Sequence, residues 1–121
     1  MEITAERLAE ICDAEIYDIR SETDRSYGFI PNSVRVSAEE LLSDAPKDKN
    51  KKIVVYCARG VLSVDVADEL CERGYEAYSL EGGYFAWLRM TMENAKADEI
   101  KKNVEQSLRK KFRTSITSKF N

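Results

Sequence analysis

Residues 1 to about 90 predict an α/β domain built on a mostly parallel central sheet. Three observations carry this. Extended and helical patterns alternate along the segment, which favours right-handed strand–helix–strand crossovers. The run KIVVYC (52–57) is rich in β-branched residues and barely alternates, the mark of a strand covered on both faces. The helical patterns are opened by capping residues, and one is closed by a glycine.

The elements follow in order. Thr4 caps a short helix over 5–12, with Ile3 and Leu8 placed as a hydrophobic staple and Leu8, Ile11 and Cys12 on its apolar face. EIYDI (15–19) reads as a strand, and RSETDRSYG (20–28) as a polar loop. Pro31, Asn32 and Ser33 mark a turn before the short strand VRV (34–36). The capping box Ser37–Glu40 opens a helix to about Ser43, and DAPKDKNKK (44–52) is a charged connector. Beyond KIVVYC, Ser63 caps a helix with apolar positions Val64, Ala67, Leu70 and Cys71, which Gly74 ends. EAYSL (76–80) is a strand, Gly82 and Gly83 break the chain, and a further helix begins near Tyr84.

Composition narrows the chemistry. The chain has 121 residues, 34% charged and 43% apolar, which fits one compact domain with an appendage. No apolar run approaches the ~20 residues of a membrane span, so no membrane partner is expected. MEITAERLAE lacks the basic and apolar regions of a signal peptide, so the expected location is cytoplasmic. There is no histidine, which removes Cys–His pairs, Ser–His–Asp triads and His-ligated zinc. Cys12, Cys57 and Cys71 are an odd set whose spacing fits neither a disulfide framework nor a metal knuckle; no metal site or cofactor is expected.

Cys57 ends the most buried strand, where functional groups of open α/β sheets collect. The short loop Ala58-Arg59-Gly60-Val61-Leu62 then leads into the helix at Ser63. Such a loop curls its backbone N–H groups inward, and the helix adds the positive end of its dipole. The result is an anion cradle in which a thiolate is activated without histidine. The plainer reading is a small buried hydrophobe at a strand end, and for Cys12 and Cys71, on apolar helical faces, that reading is preferred.

At these residues the chain resembles a single rhodanese-like (sulfurtransferase) domain. YDIR (17–20) is similar to the family's first-strand Asp-x-Arg, and YGFIPNSVRV (27–36) to its Gly-His-Ile-Pro segment. VVYCARGVLS (54–63) resembles the active loop, and GYEAYSLEGGYFAW (74–87) the closing segment. The likeness implies a rhodanese-like domain over 1–90. It implies that Cys57 takes sulfane sulfur as a persulfide and passes it to a nucleophilic acceptor. The amides of Ala58, Arg59, Gly60, Val61, Leu62 and Ser63 would hold the sulfur, with Asp18 and Arg20 as polar supports.

Two departures stand out. The family's loop arginine is Leu62 here, which predicts weak use of thiosulfate; the expected donor is a protein persulfide, the alternative a small sulfane-sulfur compound. The Gly-His-Ile-Pro histidine is Phe29, which bears less on activity. The phosphatase relatives need Cys-x5-Arg; Ser63 occupies that place, so phosphate-ester chemistry lacks its clamp. The competing reading is a non-catalytic docking or regulatory module, within a tRNA-thiolation system.

Residues 91–121 read as a basic amphipathic helical extension. Ile100, Val104, Leu108 and Phe112 recur every four residues, and a break is expected near Arg113. RKKFR (109–113) reads as a contact for RNA or an acidic protein, or as a solvated helical face. SLRKKFRTSITSKF (107–120) weakly resembles the leading segment of PP-loop tRNA-thiolating enzymes, whose nucleotide loop is absent.

Overall fold

The computed structural model describes residues 1–111 in full and, beyond them, only the bounds of the last helix. The elements are β1 (Glu2–Ile3), α1 (Ala5–Glu10), β2 (Ala14–Asp18), α2 (Glu22–Ser26), β3 (Ser33–Arg35), α3 (Ala38–Ser43), β4 (Lys52–Tyr56), α4 (Leu62–Glu72), β5 (Glu76–Leu80) and α5 (Gly83–Phe120). The five strands form one sheet in the order β1-β5-β4-β2-β3, and every pairing is parallel.

β4 explains its own sequence. Ile53 and Val55 join a core with Leu41 of α3 and Val66, Ala67 and Leu70 of α4. Val54 and Tyr56 point the other way, into a core with Leu8 of α1, Leu80 and Met90. All four are fully buried. A strand with helices on both faces has no solvent side on which polar residues could alternate. Each such side chain withdrawn from water contributes about 1.5–3 kcal/mol before conformational entropy is set against it.

Several boundaries differ from the sequence-based expectation. β1 is an added edge strand in register with Ser79 and Leu80 of β5, held by main-chain bonds from the Ser79 amide to the Met1 oxygen and the Glu81 amide to the Ile3 oxygen, which two residues cannot advertise. α1 stops at Glu10 with Ile11 as C-cap, so Cys12 is exposed and not on an apolar helical face. The expected loop 20–28 contains α2, whose N-cap Ser21 accepts a bond from the Asp24 amide. ETDRS has no buried residue, so hydrophobic periodicity is silent there, although Ser21 followed by Glu22 and Asp24 is a start signal. Ser63 is not a cap: Val61 occupies the N-cap position of α4 without a side-chain bond, and Ser63 lies inside the first turn.

The chain divides into two units, Met1–Met90 and Thr91–Asn121. In the second, Ile100, Val104 and Leu108 are each about half exposed along α5. The expected break near Arg113 does not occur, since α5 continues through it to Phe120; the ring of Phe112 lies outside the described residues. Among the described residues no helix is long and apolar enough to cross a membrane.

Candidate active site

Cys57 leaves β4 at its carboxyl end, and the chain turns at once over residues 58–61 into α4. Gly60 makes the turn possible. Its φ is +80°, and a Cβ there would lie 2.9 Å from both the Gly82 nitrogen and the Leu80 oxygen. A side chain is therefore excluded by conformation and by space. Gly83 is the counterpart on the next loop: its φ is +63°, and an added Cβ would meet the Cys57 oxygen at 2.5 Å. The two loops are joined by main-chain bonds, Tyr84 N–H to the Cys57 oxygen at 2.8 Å and Phe85 N–H to the Ala58 oxygen at 3.2 Å.

The sulfur sits in a cradle of donors. Cys57 is 8% exposed, and the Gly60 amide donates to Sγ at 3.2 Å. Ser63 Oγ lies 3.4 Å from Sγ. Burial pushes the thiol up, but the Ser63 hydroxyl and the amides of Ser63, Gly60 and Arg59 outweigh it, leaving the thiol below its ordinary value. Hydrogen bonds to the charged form lower an acid's pKa, and here backbone supplies three of the four. Of the expected cradle, the Gly60 amide and the Ser63 hydroxyl stand within hydrogen-bond distance of Sγ. Ala58 turns its oxygen to Phe85 instead.

Val61 and Leu62 do not approach Sγ by hydrogen bond; both are exposed, at 76% and 53%. Phe85 is half exposed, and the Arg59 guanidinium lies 5.8 Å from its ring centroid. The rim of the loop is therefore apolar, with one cation lying over an aromatic face.

Asp18 and Arg20 sit one strand away, Asp18 in register with Tyr56. Asp18 is fully buried, and its carboxylate accepts from Arg20 Nε at 3.0 Å, from Arg20 Nη2 at 2.9 Å and from Arg25 Nη1 at 3.2 Å. Burial alone would raise this carboxyl; the bonds from Arg20 and Tyr56 reverse that and hold it below the usual range. The Arg20 guanidinium lies over the rings of Tyr84 at 4.2 Å and Tyr56 at 5.4 Å. Tyr84 is the residue whose amide holds the Cys57 oxygen, so the pair reaches the loop through packed rings and not by touching sulfur.

The sequence did not point to four participants. Arg25 completes the Asp18 cluster, Tyr56 and Tyr84 flank Arg20, and Ser79 of β5 meets Ser63 Oγ at 2.7 Å. Arg25 was within reach as a cation in a segment otherwise read as loop. The others carry no local signal, because their roles arise from strand neighbours distant in sequence.

Known proteins resemble this chain in sequence and fold. Residues 4–90 match the rhodanese-like domain. Thiosulfate sulfurtransferase GlpE from Coxiella burnetii is 38% identical over 77 residues, which cover 62% of this chain and 72% of that protein. A tRNA sulfurtransferase from Desulfurococcus amylolyticus is 35% identical over 71 residues, 59% of this chain but 14% of that protein. The crystal structure of a rhodanese-related protein from Thermoplasma volcanium superposes with a TM-score of 0.66 at 29% identity, covering 74% of this chain and 91% of that one. With a parallel sheet, a cysteine loop and this match over residues 4–90, the chain belongs to the rhodanese-like family.

Proposed function

We propose that the chain is a sulfurtransferase in which Cys57 carries sulfane sulfur as a persulfide, with a protein persulfide as donor. The observation that supports it most is the surroundings of Sγ, with the Gly60 amide and the Ser63 hydroxyl at hydrogen-bond distance and no charged side chain among the groups that lower the thiol. In the first half-reaction the Cys57 thiolate attacks the outer sulfur of the donor. The donor's S–S bond breaks, its own thiolate leaves, and Cys57 gains one sulfur. In the second, an acceptor nucleophile attacks that outer sulfur and the Cys57 thiolate leaves. No electrons are gained or lost overall.

The apolar rim of Val61, Leu62 and Phe85 favours a donor that presents its persulfide on a protein surface over a small dianion. GlpE and the other named sulfurtransferases among the relatives support sulfur transfer as the reaction class. The test is intact mass after incubation with a persulfide donor. Wild type should gain the mass of one sulfur atom, and Cys57→Ser should gain none. A chain that never takes up sulfur would leave a docking module as the better reading. Leu62→Arg should raise thiosulfate turnover through a lower KM, since a charge there serves ground-state binding. A wild type already fast on thiosulfate and unmoved by Leu62→Arg would count against the donor assignment.

A further inference from the structure

Behind the sulfur lies a second hydroxyl. Ser63 and Ser79 are both fully buried, their oxygens 2.7 Å apart, and Ser63 Oγ lies 3.4 Å from Cys57 Sγ. Sulfur, Ser63 and Ser79 thus form a row of three, running from the loop through the first turn of α4 to β5. Ser79 is fixed at its main chain, its amide donating to the Met1 oxygen at 2.8 Å. No buried side-chain polar atom among the described residues is left without a partner.

A hydroxyl turns its hydrogen to suit its neighbours. While Cys57 is a neutral thiol, S–H donates to Ser63, and Ser63 donates to Ser79. Once Cys57 carries negative charge, Ser63 must turn its hydrogen to the sulfur. Its oxygen is then free to accept, and Ser79 donates to it. Ser79 satisfies Ser63 in both arrangements, but only in the second does the row end on a charge. Charge-assisted bonds are the stronger kind, and successive bonds in a row polarise one another.

We propose that Ser79 is a positioning residue that acts on Cys57 through Ser63, supplying the proton that lets Ser63 turn toward the sulfur whenever it is an anion. The proposal rests on Cys57 being the reacting sulfur. Its consequence is unequal in the two half-reactions. Stabilising the thiolate enlarges the reactive fraction near neutral pH but blunts its nucleophilicity, so the loading step gains little. In discharge the thiolate is the leaving group, and a better-stabilised leaving group departs faster without any opposing effect. Ser79 therefore serves chiefly the release of sulfur to the acceptor.

The charged groups on the surrounding elements are Arg59 on the loop, Asp65, Asp68, Glu69 and Glu72 on α4, Glu76 at the start of β5 and Glu81 after it, Lys52 at the start of β4, and the Asp18 carboxylate with Arg20 and Arg25 beyond β4. The groups that lower the thiol are the Ser63 hydroxyl and loop amides, with no charged side chain among them.

The experiment compares wild type, Ser79→Ala, Ser63→Ala and the double variant, each checked for folding by thermal unfolding. Alkylation rate against pH reads Cys57 directly and does not depend on sulfur transfer; peptide mapping separates it from Cys12 and Cys71. Ser79→Ala should move the Cys57 profile to higher pH, slowing alkylation near pH 7 by roughly two- to fourfold once the greater nucleophilicity of the less stabilised thiolate is set against its smaller fraction. In the Ser63→Ala background the same change should add almost nothing, because the path to the sulfur is already cut. Single-turnover discharge of preloaded protein should slow several-fold, while loading at alkaline pH holds or rises. Ser79→Thr, which keeps the hydroxyl, should stay near wild type. An unmoved profile, or an equal movement in both Ser63 backgrounds, overturns the proposal. If the profile moves as described while wild type takes up no sulfur, the hydroxyl row stands and the sulfurtransferase reading fails.

Discussion

Cys57 shows how far one residue's surroundings can substitute for a missing partner. With no histidine in the chain, the loop amides and Ser63 keep the thiol below its ordinary value against the opposing effect of burial. The alkylation rate of Cys57 should therefore persist to lower pH than that of an ordinary cysteine. Exposure alone will not discriminate, since Cys12 is the more exposed thiol, so the shape of each pH profile is what peptide-resolved labelling should compare. Asp18 is the second case. Asp18→Asn leaves Arg20 and Arg25 facing a neutral amide, and breaking a buried pair in this way costs about 3–5 kcal/mol. Because the folded carboxyl is depressed, its contribution is complete above the unfolded value near 3.9 and fades as pH falls through the folded one. Urea unfolding of wild type and Asp18→Asn should thus differ at neutral pH and converge in acid. A difference that stays constant down to the acid limit would show that shape, not charge, is what Asp18 provides.

At the scale of elements, the β4–α4 and β5–α5 loops form one structure built on two glycines. Gly60→Val should abolish sulfur uptake, because the side chain would press on Leu80, Gly82 and Gly83 and open the cradle. Arg59→Ala should reduce uptake only a fewfold, since its exposed charge lies over Phe85 and contributes ~1 kcal/mol or less. If Arg59→Ala abolished uptake while Gly60→Val was tolerated, a side-chain charge and not the amide cradle would be holding the sulfur. Gly83→Ala should destabilise the fold by about 1–3 kcal/mol from conformation alone, with more from contact with Cys57 and Ala58, as thermal unfolding would read. Elements are also where reading the sequence succeeded unevenly. β4 and α4 were visible because a doubly buried strand and an amphipathic helix write their surroundings into their own residues. α2 was not, since it buries nothing. Ser63 looked like a cap because a serine at a helix start usually is one; here its hydroxyl is spent on the sulfur and Ser79. Cys57 and its loop could be located from the strand end and the glycine. The tyrosine–arginine stack and Ser79 could not, because strand order brings them together and order is not written locally.

For the whole molecule, the two cores on either face of the sheet meet at β4, so stability depends on its neighbours more than on any surface feature. Leu70→Ala, in the fully buried face of α4, should cost about 2–5 kcal/mol in denaturant unfolding and leave the slope of that transition unchanged. A loss under 1 kcal/mol would mean that α4 closes over the cavity. The all-parallel arrangement has a further consequence, one of timing. Parallel neighbours cannot be joined by tight hairpins, so the sheet assembles only through contacts between distant segments. The extreme case is the outermost pair, in which Glu2 and Ile3 lie against Ser79 and Leu80. On a ribosome Glu2 and Ile3 would wait for almost the last of the domain before finding their place. Until then the edge of β5 that Ser79 occupies would be open, and the chemistry of the sulfur loop would be unfinished while its cysteine had long been made.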